Sequence, residues 1–192
     1  MIKDLFLTKL FGYSCYTSNE FNLNKIKKIQ RPFFLTIKSR NKLNIKKNQN
    51  IGGYYPINCE IGSLEILEKL ERDKFKISLP VTKKNNVMDF YQWSFKQSLN
   101  ISNQGIPEPF TIKKVFPDVL IVPLVGFDKK KFRLGYGGGF YDRYIARVFK
   151  FKKVITVGLA FSFQELKAIP RNKFDQKLDF ILTDEKIIKW KF

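Results

Sequence analysis

A chain of 192 residues is long enough to bury one well-packed domain and too short for two generous ones. It carries 36 Lys and Arg against 17 Asp and Glu, a formal charge of +19, and no histidine; that absence excludes Ser–His–Asp and Cys–His catalysis and almost every zinc enzyme, leaving acid–base work to carboxylates, tyrosine or lysine. The positive charge calls for a polyanion, either nucleic acid or a phosphorylated or polycarboxylate small molecule, and because most of the excess is lysine in a chain also rich in Asn, Ile and Phe, nucleic acid is not the expected primary partner.

Residues 1–50 form a basic segment with little readable pattern. No acidic residue occurs over 21–59, while Lys25, Lys27, Lys28, Arg31, Lys38, Arg40, Lys42, Lys46 and Lys47 accumulate, as on a solvated basic surface. Pro32 limits the segment to two short helical pieces, expected to belong to the same domain as residues 51–192. The first residues lack the sustained apolar stretch of a secretory signal, and the longest apolar run, 119–127, contains Pro123 and is far too short to span a bilayer. The expectation is a cytoplasmic monomer without membrane contact. Cys15 and Cys59 match no CxxC or zinc spacing and read as free thiols.

Residues 51–57, IGGYYPI, predict a strand, with Glu60 just beyond its end. In open α/β sheets ligands gather at such carboxyl ends, so Glu60 is either a ligand contact or a negative charge at the start of the next helix. That helix is SLEILEKLER, capped by Ser63, with Leu64, Leu67 and Leu70 as its apolar stripe and Glu65–Lys69 and Glu68–Arg72 as ion pairs. Residues 74–81 predict a strand ended by Pro80, and 87–93, VMDFYQW, another. Met88, Phe90 and Trp93 are either core or the wall of a flat pocket. GIPEPF then holds Glu108 between two prolines in a stiff loop, a placement more often functional than structural.

Residues 117–128, PDVLIVPLVGFD, predict a buried strand, and 133–144, RLGYGGGFYDRY, the stretch around which the chain is organised. Gly135, Gly137, Gly138 and Gly139 leave amides bare, and the spacing of Tyr141, Tyr144, Ile145 and Val148 starts a helix near Gly139 with its positive end toward them. Strand, turn, glycine loop and helix make a phosphate-site layout. It is not a Walker loop, because Phe140 and Tyr141 follow the last glycine where Lys-Ser/Thr belongs, and not the dinucleotide fingerprint, whose third glycine would fall at Phe140. A ligand-free glycine hairpin is the alternative. Downstream, 154–161 predicts a buried strand, FQELKAI a short helix and 179–184 a last strand. The alternation argues for an α/β fold: an open, mainly parallel Rossmann-like sheet with helices on both faces in a single domain.

The ordered set GGYYPINCEI, ISLPV, VMDFYQW, GIPEP, PDVLIVPLVGFD, RLGYGGGFYDRY, VGLAF and FDQKLDFILTD resembles the 5-formyltetrahydrofolate cyclo-ligase family, over about 51–184. The resemblance implies conversion of 5-formyltetrahydrofolate to 5,10-methenyltetrahydrofolate with ATP and Mg²⁺, releasing ADP and phosphate. It implies ATP contacts from Lys9 and from Arg133, Leu134, Gly135, Tyr136, Gly137, Gly138, Gly139, Phe140 and Tyr141, with Arg133 and Tyr141 as the catalytic pair. For the reduced folate, polyglutamylated or not, it implies Tyr55, Glu60 and the segment from Tyr136 to Phe140; for the metal, Asp142 and Asp175. Asp142 has the alternative of a helix N-terminal charge. Two positions depart from the pattern: Tyr13 stands where the family has a basic residue four after Lys9, and Phe174 where a polar residue usually precedes Asp175. A folate-binding module without turnover and a basic nucleic-acid-binding protein are the competing classes.

Overall fold

The computed structural model describes residues 45–58, 60–111 and 113–189. The N-terminal helical pieces, Lys9 and both cysteines lie outside the described residues.

The sheet is built on alternation. In β7 (Val119–Val122) every residue is apolar and every residue is buried, so successive side chains must feed opposite faces. Val119 and Ile121 pack with the first helix, α1 (Leu64–Arg72), while Leu120 and Val122 pack with the second, α2 (Phe140–Val148). Both helices are amphipathic. α1 buries Ile66, Leu67 and Leu70, and α2 buries Tyr144, Ile145 and Val148. The two helices therefore cover the two faces of one sheet, as the alternation predicts.

Five strands run parallel in the centre. They are β12 (Phe180–Leu182), β10 (Ile155–Leu159), β7, β1 (Asn50–Gly52) and β2 (Lys76–Lys83), in that spatial order. Antiparallel strands finish both edges: β13 (Ile187–Ile188) beside β12, and β3 (Val87–Trp93) then β6 (Lys114–Val115) beside β2. Two small sheets are added, a hairpin of β4 (Leu99–Ile101) with β5 (Pro107–Pro109), and β8 (Gly126–Asp128) between β9 (Arg133–Leu134) and β11 (Glu165–Leu166).

Several sequence expectations need correction. Pro80 does not end β2; it pairs with Phe90 of β3, and it is tolerated because β1 pairs with β2 only as far as Ser78, so the strand is open on that side. The apolar run 117–128 is two strands, since Pro123 interrupts the ladder between β7 and β8. GIPEPF is one arm of a hairpin rather than a free loop. FQELKAI is a 3-10 turn over Ser162–Gln164 running into β11. Ser63 does stand at the N-cap of α1 but in a helical conformation without a capping bond; its hydroxyl donates to the Tyr54 carbonyl. Of the two ion pairs expected on α1, Glu68–Arg72 is seen at 2.8 Å.

Candidate active site

A cleft of about 870 Å³ opens above the carboxyl ends of the parallel strands. The glycine loop forms one side, the turn after β1 a second, the β2–β3 and β4–β5 hairpins a third, and residues 172–176 the fourth.

The glycine loop is shaped by two left-handed residues, Gly137 at φ +92° and Gly139 at φ +63°, the latter serving as the N-cap of α2. A Cβ built on Gly135 or on Gly137 meets no atom within 4 Å, so the protein's own packing does not demand glycine's small size there; the space is left on the cleft side. Gly138 and Gly139 are different. A Cβ on Gly138 would lie 2.8 Å from the Phe140 ring, and one on Gly139 would lie 2.8 Å from Arg143 Nη1. Arg143 is exposed and spans two segments, donating to the Gly138 carbonyl at 2.7 Å and to the Asn86 carbonyl at 3.1 Å while its guanidinium lies over Phe140. The loop is thus tied to the β2–β3 turn through main-chain oxygens.

Arg133 and Asp142 meet beneath the loop. Arg133 Nη2 lies 2.9 Å from Asp142 Oδ2, with the two side chains 7% and 19% exposed. The other oxygen, Asp142 Oδ1, accepts the N–H of Gln176 at 2.8 Å, and Arg133 Nη1 reaches the Gln176 carbonyl at 3.5 Å. One ion pair therefore joins β9, the first turn of α2 and the 172–176 segment. Asp175, next to Gln176, lines the cleft and accepts the Asn172 N–H at 2.8 Å. Among the described residues no group of three or more His, Cys, Asp or Glu gathers as a metal cage.

On the opposite side, Glu60 is held in a tight turn. Its carboxylate accepts the Ile57 N–H at 3.1 Å, its own N–H donates to the Ile57 carbonyl at 3.0 Å, and the Tyr54 hydroxyl bonds to Ile61 at 2.7 Å to close the turn against the core. Burial pushes the Glu60 carboxyl up to about 7, only partly offset by the Ile57 N–H. Glu60 lines the cleft.

Tyr141 lines the same cleft, with the Arg133 guanidinium 6.0 Å from the centre of its ring. Its hydroxyl oxygen is buried without a hydrogen-bond partner. Burial drives its pKa up, the charge of Glu60 adds to that and Arg133 opposes it. A buried hydroxyl left unpaired costs roughly 1–3 kcal/mol, so it asks for a polar atom from elsewhere.

Of the residues singled out from sequence, Tyr55, Glu60, Arg133, Gly135, Tyr136, Gly137, Gly138, Gly139, Phe140, Tyr141, Asp142 and Asp175 all line this one cleft. Leu134 does not: it is 1% exposed, with its side chain in the core. Of the proposed apolar walls Met88 reaches the cleft, whereas Phe90 and Trp93 are core on opposite faces of the sheet. Phe174 stands exposed at the rim beside Asp175. Thr82, Ser102, Gln104 and Gln176 were not foreseen as lining residues; Gln176 acts through its backbone, which leaves no trace in residue type.

The chain is similar to known proteins in sequence and in fold. A profile of the 5-formyltetrahydrofolate cyclo-ligase family matches residues 23–184, extending well upstream of the segment whose motifs are readable by eye. The 5-formyltetrahydrofolate cyclo-ligase of Haemophilus influenzae is 31% identical over 169 residues, 84% of this chain and 90% of its own length. That of Escherichia coli K12 is 32% identical over 139 residues, 68% and 75% respectively. The solved structure of Aquifex aeolicus 5,10-methenyltetrahydrofolate synthetase superimposes with a TM-score of 0.75 at 26% identity, covering 98% of this chain and 93% of that one.

Proposed function

The chain belongs to the 5-formyltetrahydrofolate cyclo-ligase family and is an enzyme of that activity, and we propose that it closes its substrate to 5,10-methenyltetrahydrofolate by an ATP- and Mg²⁺-dependent route run from the glycine-loop cleft. The observation that carries this reading is the placement of Tyr141. Its unpartnered hydroxyl belongs to the same cleft as the carboxylate suited to a pterin and the arginine suited to a phosphate, and the Arg133 guanidinium lies 6.0 Å from the centre of its ring.

Bound Mg·ATP supplies a phosphoryl group that turns the formyl oxygen into a leaving group, so that N10 of the folate closes on the formyl carbon and phosphate departs. The chain's own residues do the rest. Gly135 and Gly137 leave room for phosphate oxygens to approach the loop backbone at the positive end of α2. Arg133 offsets charge on the transferring group. Asp142 and Asp175 are hard oxygen donors on adjoining sides of the cleft, joined through the Gln176 N–H, and their number fits Mg²⁺, which is commonly held by one or two carboxylates with water and phosphate oxygens completing the shell. Glu60, once ionised, accepts the paired N–H donors of the amino-pyrimidine ring, and Tyr55 and Met88 supply apolar wall beside it. Tyr141, kept neutral by burial, donates its O–H toward the reacting oxygen.

None of these steps needs a histidine. The test is appearance of the near-ultraviolet methenyl chromophore when the purified chain meets 5-formyltetrahydrofolate with Mg·ATP. The expected result is a signal requiring all three components; a signal indifferent to ATP or to Mg²⁺ would overturn the route.

A further inference from the structure

Arg133 and Asp142 stand in the proposed mechanism as a phosphate ligand and a metal ligand, yet in this arrangement they are bound to each other at 2.9 Å. Two facts make that pairing consequential. The first is charge: a carboxylate whose Oδ2 is held by a guanidinium adds no net negative charge to the metal site, which leaves Asp175 alone to supply it, and a unit positive charge within about 5 Å costs a divalent ion roughly tenfold in affinity even at the dielectric of water. The second is burial: with Arg133 only 7% exposed, solvent cannot screen the guanidinium as it would on the surface.

The remaining contacts hold the pair in place. Asp142 Oδ1 is occupied by the Gln176 N–H at 2.8 Å, which fixes the carboxylate while leaving its charge to Arg133. Among the described residues the other acceptor for Arg133 is the Gln176 carbonyl, at the long distance of 3.5 Å. What would draw the guanidinium off Asp142 is a stronger anion in the cleft. A phosphate carries more negative charge than one carboxylate and matches the planar fork of arginine equally well.

Resting on the reading of Asp142 as the metal-side carboxylate, we infer that Arg133 is a positioning residue for the metal as well as a phosphate contact: it keeps Asp142 neutralised until a nucleotide phosphate takes the guanidinium, so that a divalent ion enters with the nucleotide and not before it. Because any such coupling is reciprocal, metal and nucleotide each strengthen the other's binding.

The experiment measures Mn²⁺ binding to the full chain without nucleotide, by the electron-spin resonance of free Mn²⁺. Wild type, Arg133→Met and Asp142→Asn are compared. The inference expects weak binding by wild type, roughly tenfold tighter binding by Arg133→Met, and loss of that gain when Asp142→Asn is added. The sign is the diagnostic, because a merely structural arginine, once removed, would loosen the site and weaken metal binding. Unchanged or weaker binding by a folded Arg133→Met protein overturns the inference while leaving the assignment of Asp142 standing. A gain that survives Asp142→Asn overturns the assignment itself. Arg133→Gln, which keeps a donor for Asp142 without the charge, gives the same reading if the methionine variant does not fold.

Discussion

The two faces of the central sheet are covered by helices of identical length, nine residues each, yet they are built to different standards. On the α1 face the groups are apolar and closely fitted: Leu67 is fully buried against Gly53, whose absent Cβ would otherwise strike it, and Trp93 stacks near Phe95 at 4.5 Å. The α2 side has an apolar inner stripe too, but its first turn carries an unpaired buried hydroxyl on Tyr141 and an ion pair at Asp142, opposite a carboxyl displaced to about 7 at Glu60. Among the described residues two tyrosine hydroxyls of α2, those of Tyr141 and Tyr144, are buried without a partner, and of the two only Tyr141 lines the cleft. A violation that borders a cleft is one a ligand can complete, so Tyr141 rather than Tyr144 marks where the chemistry is.

The contrast is broken most severely at Asp142. Asp142→Asn keeps an acceptor for the Gln176 N–H and removes the charge; turnover is expected to fall by about a thousandfold, on the scale seen when a key electrostatic contact to the transition state is lost, and initial rates of chromophore formation measure it. Glu60→Gln is expected to raise the KM for folate by roughly ten- to a hundredfold, as for a charged hydrogen-bond acceptor to a ligand. Its effect on stability has the opposite sign. The folded carboxyl titrates near 7 against an ordinary 4.5, so between these values the folded state keeps a proton that the unfolded chain has lost. Stability therefore declines as pH rises through that window, by up to roughly 3 kcal/mol. At pH 8 the glutamine variant should melt higher than wild type by up to about 6–12 °C by calorimetry, and the wild-type affinity for folate should rise with pH through about 7 while the variant's stays flat.

Tyr141→Phe sharpens the comparison. Deleting an unpartnered hydroxyl should leave the melting temperature unchanged or slightly raised, while turnover drops by roughly ten- to a hundredfold; a loss of stability would show that the hydroxyl is satisfied inside the protein. The smallest effect on catalysis is expected from the other face. Leu67→Ala should cost about 2–5 kcal/mol by denaturant unfolding and leave kcat per folded molecule as it was.

Much of this was legible in the sequence because it depends on periodicity. The boundaries of VMDFYQW as a strand, the start of α2 at the last glycine, and the two-faced burial of the 119–122 run follow from the side-chain period alone. What escaped depends on partners far along the chain. Pro80 reads as a stop until the short reach of β1 along β2 is known. FQELKAI has helical spacing, yet pairing of Glu165 with Phe127 and of Leu166 with Asp128 draws its middle into the short strand β11. Glu60 and the glycine loop stand out as candidates because the turn after β1 and the glycine run are local signals, the parts given to Tyr55 and Asp175 rest on the family resemblance, and the Arg133–Asp142 pair, though only nine residues apart, depends on how β9 turns into α2.

The grip of Arg143 has one more consequence. Both of its acceptors are carbonyls of the chain itself, at Gly138 and Asn86. The bonds themselves need neither side chain, yet both positions are constrained: a Cβ at Gly138 would press on the Phe140 ring that the guanidinium covers, and Asn86 sits at φ +57°, where few residues other than glycine and asparagine rest easily. Inserting or deleting a single residue in the glycine loop or in the β2–β3 turn would move one anchor away from the other, so this seam should resist changes of length most of all.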